Sequence, residues 1–296
     1  MYVITGASGH TGARAAQQLL AAGKEVVVVG RSADRLAALV AQGARAAIGD
    51  LSDVDFLAHT FQGAKAVYAI IPPNFTSTDF RTYQNQVGQA LSQAITRAGV
   101  PHVVTLSSVG AHSPDTGVVA GLYDFEQRLA AEAPTAKILH LRAGFFMQNF
   151  LGNIGLIKGM GIHGGFPIEA NLKMPIVHTN DIGDAAARRL LDLDFEGHSH
   201  TYVAGAADLS MAEATAILGK AIGKPDLPWV TFPYEDARSG MLQAGLTPSL
   251  ADAYVAFSKA ANEGILASDY QRTPAYTTPT TLESFAQQEF APAFAG

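Results

Sequence analysis

Eight residues near the N-terminus, Thr5-Gly6-Ala7-Ser8-Gly9-His10-Thr11-Gly12, have the types and spacing needed to hold a phosphate. The apolar run Tyr2–Thr5 precedes them and an amphipathic stretch from Gly12 to Ala22 follows, so Gly6, Gly9 and Gly12 occupy a turn between a strand and a helix. A diphosphate needs main-chain N–H groups aimed at it and no Cβ in the way, and the start of a helix adds a favourable dipole. The last glycine lets the helix approach the strand closely. Ser8 and Thr11 bring hydroxyls that can bond phosphate, while His10 is expected to serve through its backbone.

The residues that would choose among dinucleotides come at the ends of later apolar runs. The second run ends Val29-Gly30-Arg31-Ser32. NAD enzymes usually place a carboxylate here for the ribose 2′-hydroxyl, whereas a guanidinium suits a 2′-phosphate and stacks on adenine. Arg31, with Ser32 beside it and Arg35 one turn on, therefore points to NADP(H) in preference to NAD(H). Asp50 and Leu51 follow the third run, where a carboxylate can accept from the adenine amino group and an apolar side chain can cap the ring. Pro72-Pro73 follows the fourth, at the carboxyl edge where such sheets bind ligands.

The elements that must position these residues alternate as in βαβ units. Six strands are expected, at Tyr2–Thr5, Glu25–Gly30, Arg45–Gly49, Ala66–Ile71, Val103–Ser107 and Lys137–Arg142. Most are continuous apolar runs, as in parallel strands covered on both faces. The intervening helices run from Gly12 to Ala22, from Ser32 to Gly43, from Ser52 (which with Asp55 approximates a capping box) to Gly63, and from Asp79 to Ala98. Glycines 152, 155, 159, 161, 164 and 165 preclude a long regular helix after Arg142. Pro175–His178 and the helix Asp181–Leu193 read as a return to the sheet, and Met211–Gly223, Glu235–Gly245 and Ser249–Glu263 as a helical lobe. The expected fold class is α/β: a Rossmann-type, doubly wound parallel sheet over residues 1–144, continued by 174–204 and 276–290, with a smaller, mainly helical substrate lobe from 145–173 and 205–275.

Composition removes several alternatives. With 48% hydrophobic and 16% charged residues, the 296-residue chain can bury a full core. Its lack of cysteine excludes disulfides, thiolate metal ligands and a cysteine nucleophile, so redox chemistry needs a borrowed cofactor. The net charge of −6, without a clustered basic face, disfavours nucleic acid. The N-terminus lacks the features of a secretory signal and no apolar run is long enough to span a bilayer, so the expectation is a cytoplasmic monomer or homodimer that meets a small molecule, not a membrane. The Glu196-Gly197-His198-Ser199-His200 stretch reads as solvated loop histidines ahead of a strand; no metal site is expected.

The phosphate loop, Gly30-Arg31, Gly49-Asp50-Leu51 and the stretch Leu141-Arg142-Ala143-Gly144-Phe145-Phe146-Met147-Gln148-Asn149 together resemble the NmrA-like group of atypical short-chain dehydrogenases. Val177-His178-Thr179-Asn180-Asp181-Ile182 and Pro279-Thr280-Thr281-Leu282-Glu283-Ser284-Phe285 extend the likeness over nearly the whole chain. The resemblance is greatest to NAD(P)H:quinone oxidoreductase-type members, implying hydride transfer from NADPH to a quinone or other small electrophilic carbonyl compound. It also implies an alternative, since the group includes non-catalytic proteins that sense NADP(H) and bind a protein partner. By the same resemblance, Phe145, Phe146 and Asn149 line the acceptor's space.

Typical short-chain dehydrogenases pair a tyrosine with a lysine four residues later, which lowers the phenol's pKa for proton transfer. Tyr123 is the candidate here, but Gln127 stands at the lysine position. Ser107, followed by Ser108, falls at the strand end where those enzymes carry a substrate-polarising serine. A quinone relaxes the requirement, because its reduced form can take a proton from water and the protein need only hold two rings together. His178 is expected to be a hydrogen-bonded strand residue.

Overall fold

The computed structural model describes residues 1–296. The first half alternates as the apolar runs require: β1 (Tyr2–Ile4), α1 (His10–Ala21), β2 (Val26–Gly30), α2 (Ala33–Ala41), β3 (Arg45–Ile48), α3 (Val54–Phe61), β4 (Ala66–Ala69), α4 (Phe80–Ala98), β5 (His102–Ser108), α5 (Ala120–Glu132) and β6 (Lys137–Ala143). Beyond it lie β7 (Phe145–Phe146), α6 (Ile154–Met160), β8 (Lys173–Val177), α7 (Thr179–Asp192), β9 (His198–Val203), β10 (Ala207–Ser210), α8 (Met211–Ala221), α9 (Tyr234–Gln243), α10 (Pro248–Asn262), α11 (Leu282–Phe285) and α12 (Ala291–Ala295).

Seven parallel strands form the main sheet in the order β3-β2-β1-β4-β5-β6-β9. The chain steps from β1 out to β3, then returns to pair β4 with the other side of β1, so the strand order reverses between β1 and β4. At such a switch point the crossover helices diverge to opposite faces and open a crevice at the carboxyl edge. One face buries Leu19 of α1, Leu36 of α2 and Ile182 of α7; the other buries Leu57 of α3, Leu91 of α4 and Leu129 of α5. Continuous apolar strands such as Val26–Val29 follow from having both faces covered.

Three expectations are corrected. The Pro175–His178 run does not rejoin the main sheet: β8 pairs antiparallel with β10 and parallel with β7 in a separate three-stranded sheet, and only α7 packs back, against α1. The supposed loop histidines His198 and His200 lie on β9, the seventh strand, where His200 meets the Tyr202 ring edge-on at 5.6 Å. Asp53, not Ser52, caps α3 by accepting the Phe56 N–H at 3.0 Å.

The second lobe gathers α6, α8 and α10 around a core that includes Phe150, Ile176, Leu218 and Leu266, with α9 lying against α10. The glycine-rich stretch after Asn153 supports only the seven-residue α6 before Gly161 turns the chain with φ 69°. No helix is long and apolar enough to cross a membrane.

Candidate active site

Because the sheet is parallel, every loop singled out in the sequence leaves from the same carboxyl edge. Residues 5–12 follow β1, Arg31-Ser32 follows β2, Asp50-Leu51 follows β3, Pro72 follows β4, and Ser107-Ser108 and Gly144–Phe146 lie at the ends of β5 and β6. The Thr5 hydroxyl donates to Tyr68 O (3.1 Å) and accepts the Ile70 N–H (2.8 Å), fastening β1 to β4 where they part.

The loop above has little room for side chains. Gly6 adopts φ 62°, and a Cβ there would sit 3.2 Å from Ile70. A Cβ on Gly12 would lie 2.5 Å from Gly6 O, so the helix can approach the loop this closely only with glycine. Gly9 is the N-cap of α1 and supplies no side-chain acceptor, so the first-turn N–H groups have no cap. Ser8, Gly9 and His10 are exposed, whereas Thr11, at the start of α1, is buried. The α2 helix also begins uncapped, with Ser32 at its N-cap making no side-chain bond to the backbone.

Arg31 is exposed and makes no ion pair within the chain. Asp50 is exposed and accepts the Ser52 hydroxyl (2.6 Å) and N–H (2.8 Å) on one oxygen; these bonds, the hydroxyl's first, hold its carboxyl below the usual range. Glycines without room for a Cβ, an uncapped helix and an unpaired guanidinium at the end of β2 fit a dinucleotide carrying a 2′-phosphate: the loop would hold its diphosphate and Arg31 the added phosphate. Pro72 contributes its carbonyl, which accepts the Tyr83 hydroxyl at 3.0 Å.

The β5–β6 end differs. Ser107 is buried and donates to Glu126 Oε1 at 2.6 Å, so its hydroxyl is turned into the protein and not toward an acceptor. Glu126 receives Arg142 on both oxygens (2.7 and 3.2 Å), and Arg142 reaches Asp269 at 2.7 Å. Burial disfavours the Arg142 charge, but Glu126 outweighs it and holds the guanidinium above its ordinary pKa. Asp269 also meets His112 at 2.9 Å, tying the segment after α10 to the sheet. Ser108 donates to Val109 O at 2.9 Å. Tyr123, in the first turn of α5, is half-buried without a hydrogen bond, and Gln127 is exposed. None of this network was found from the sequence, since its members are far apart along the chain.

Phe145 and Phe146 are half-buried and Asn149 is exposed. The Phe145 ring lies 5.4 Å from Phe150 and 5.7 Å from Phe166, which fixes it in an aromatic cluster. Gly144 is required beside them, since a Cβ would lie 2.5 Å from Pro175 O. A polar cleft of about 320 Å³ opens nearby between the start of α7 and the C-terminal segment, lined by His178, Asn180, Thr280, Thr281, Gln288 and Glu289 among others. His178 is not a strand residue: it caps α7, its Nδ1 accepting the Asn180 N–H, with Nε2 2.7 Å from Glu289.

Comparison with known proteins agrees with this architecture. The curated UDP-glucose 4-epimerase of Streptomyces lividans is 31% identical over 121 residues, 38% of this chain, and the match spans only about a third (36%) of that relative's length. The NADPH-dependent quinone oxidoreductase of Escherichia coli, solved with NADPH, superposes with a TM-score of 0.79 at 22% identity, covering 98% of this chain and 100% of that one. NmrA, a negative transcriptional regulator solved with NADP, gives 0.71 at 16% identity, covering 98% and 95% of the two chains. These superpositions establish the shared fold. The NmrA-like family model matches residues 2–286, and the chain therefore belongs to the NmrA-like family.

Proposed function

We propose that the protein is an NADPH-dependent oxidoreductase that reduces a quinone or another small electrophilic carbonyl acceptor. The observation that carries the reading is the unpaired Arg31 at the end of β2, beside an uncapped glycine loop, with Phe145 and Phe146 on the same sheet edge. Bound there, NADPH supplies a hydride. The main chain of residues 6–12 holds the diphosphate, Arg31 pairs with the 2′-phosphate, and Ser32, Asp50, Leu51 and Pro72 shape the adenosine end. Phe145 and Phe146 offer an apolar surface that excludes water from the acceptor, with Asn149 at its polar rim. No side chain at the β5–β6 end is arranged as a strong proton donor, and a reduced quinone can take its proton from solvent. The E. coli relative's named activity supports this choice of acceptor.

The test is loss of NADPH absorbance with a panel of simple quinones. Turnover is expected, and Tyr123→Phe should keep it within about threefold, because a working general acid is worth far more than that. No turnover across the panel, with NADPH binding intact, would instead favour an NADP(H) sensor that binds a protein partner, a reading to which Gln127 at the lysine position lends weight.

A further inference from the structure

We propose that Tyr83, on α4, is a further cofactor-binding residue that walls the adenine pocket; this rests on the NADP(H) reading above. The ends of β2 and β3 are neighbours: Gly30 pairs with Ile48, and the Gly49 N–H donates to Gly30 O at 3.1 Å. Arg31 and Asp50 therefore leave adjacent strand ends. A Cβ on Gly49 would lie 2.6 Å from the Phe56 ring, so α3 presses against this corner and Leu51 packs into the cluster beneath it.

Tyr83 reaches the same corner from the opposite side. It stands in the first turn of α4, its hydroxyl donates to Pro72 O at 3.0 Å, and its ring packs, like Leu51, Val54 and Phe56, at the margin of the core on that face of the sheet. Its hydroxyl thus ties α4 to the loop after β4, with the ring on the face that Leu51 also borders. The ring is half-buried, and although burial dominates in raising its phenol above the ordinary range, the charges of Arg31 and Asp50 both act on it. Adenine needs apolar surface for its faces and polar groups for its edge. Asp50 and Arg31 supply polar groups; Leu51 and Tyr83 are apolar side chains on the face that they border. The Pro72 bond fixes the ring beforehand, which reduces the entropy lost on binding.

The experiment titrates adenosine 2′,5′-bisphosphate and AMP calorimetrically into wild-type and variant proteins. Tyr83→Leu should weaken both ligands by about tenfold, as loss of an aromatic surface against a base does. Tyr83→Phe should stay within about threefold, because the ring remains. Arg31→Ala should weaken the bisphosphate more than AMP, since only the bisphosphate also loses its partner for the 2′-phosphate. A folded Tyr83→Leu variant that binds both ligands like the wild type overturns the inference. If Tyr83→Leu does not fold, Tyr83→Trp decides: AMP should quench the introduced indole's fluorescence beyond any change of Trp229 in the wild type, and no added quench at saturation overturns it. Wild-type protein binding neither ligand would overturn the NADP(H) reading itself.

Discussion

The two ends of the sheet's carboxyl edge treat their polar groups in opposite ways. Around β1 and β2 they are left without partners: α1 and α2 have no side-chain caps and Arg31 has no carboxylate. Around β5 and β6 they form a closed set, from Ser107 through Glu126 and Arg142 to Asp269, at separations of 2.6–3.2 Å. Unsatisfied donors at a crevice favour an anionic ligand, whereas a satisfied buried network confers rigidity and leaves little for chemistry. The first end has the free donors that the proposed NADP(H) site requires. The second holds the lobe to the sheet through Arg142 and Asp269, with Phe145 packed against Phe150 and Phe166 beside it.

Removing a member of the closed network should have the largest effect. Arg142→Met strands a buried Glu126 and should lower stability by about 3–5 kcal/mol in urea unfolding. Adding Glu126→Gln should recover more than half of that loss, since the stranded charge is gone. A loss below about 1 kcal/mol for the single variant would mean that Glu126 finds water, and that this end is less closed than described.

The open end should respond in binding more than in stability. Gly12→Ala places a Cβ 2.5 Å from Gly6 O and forces loop and helix apart. NADPH affinity should fall about 100-fold, as misplacement of a binding group by an ångström can produce. The accompanying overpacking should cost about 1–3 kcal/mol. Near-wild-type affinity in a direct titration would show that the diphosphate does not depend on this close approach.

Much of the open end was legible in the sequence because its parts are local. The phosphate loop is eight consecutive residues, and α4 was read from Asp79, its observed cap, to Ala98. The closed end was not legible, because Arg142 and Asp269 meet across 127 positions and Ser107 and Glu126 across 19. The start of β9 was placed too late because an edge strand need not be apolar throughout, and His198-Ser199-His200 reads as polar loop ahead of a strand. β8 was found as a strand but assigned to the wrong sheet: an apolar run reveals that it is buried, not which neighbour it pairs with.

The central claim is that the β1–β2 end receives a dinucleotide and that Arg31 reads its 2′-phosphate. Calorimetric titration of NADPH and NADH into wild-type protein and Arg31→Asp tests it most directly. The wild type should prefer NADPH by about tenfold or more, the order of one charge-assisted contact, and the variant should lose or reverse that preference. No measurable affinity for either nucleotide, or an unchanged preference in the variant, would contradict it.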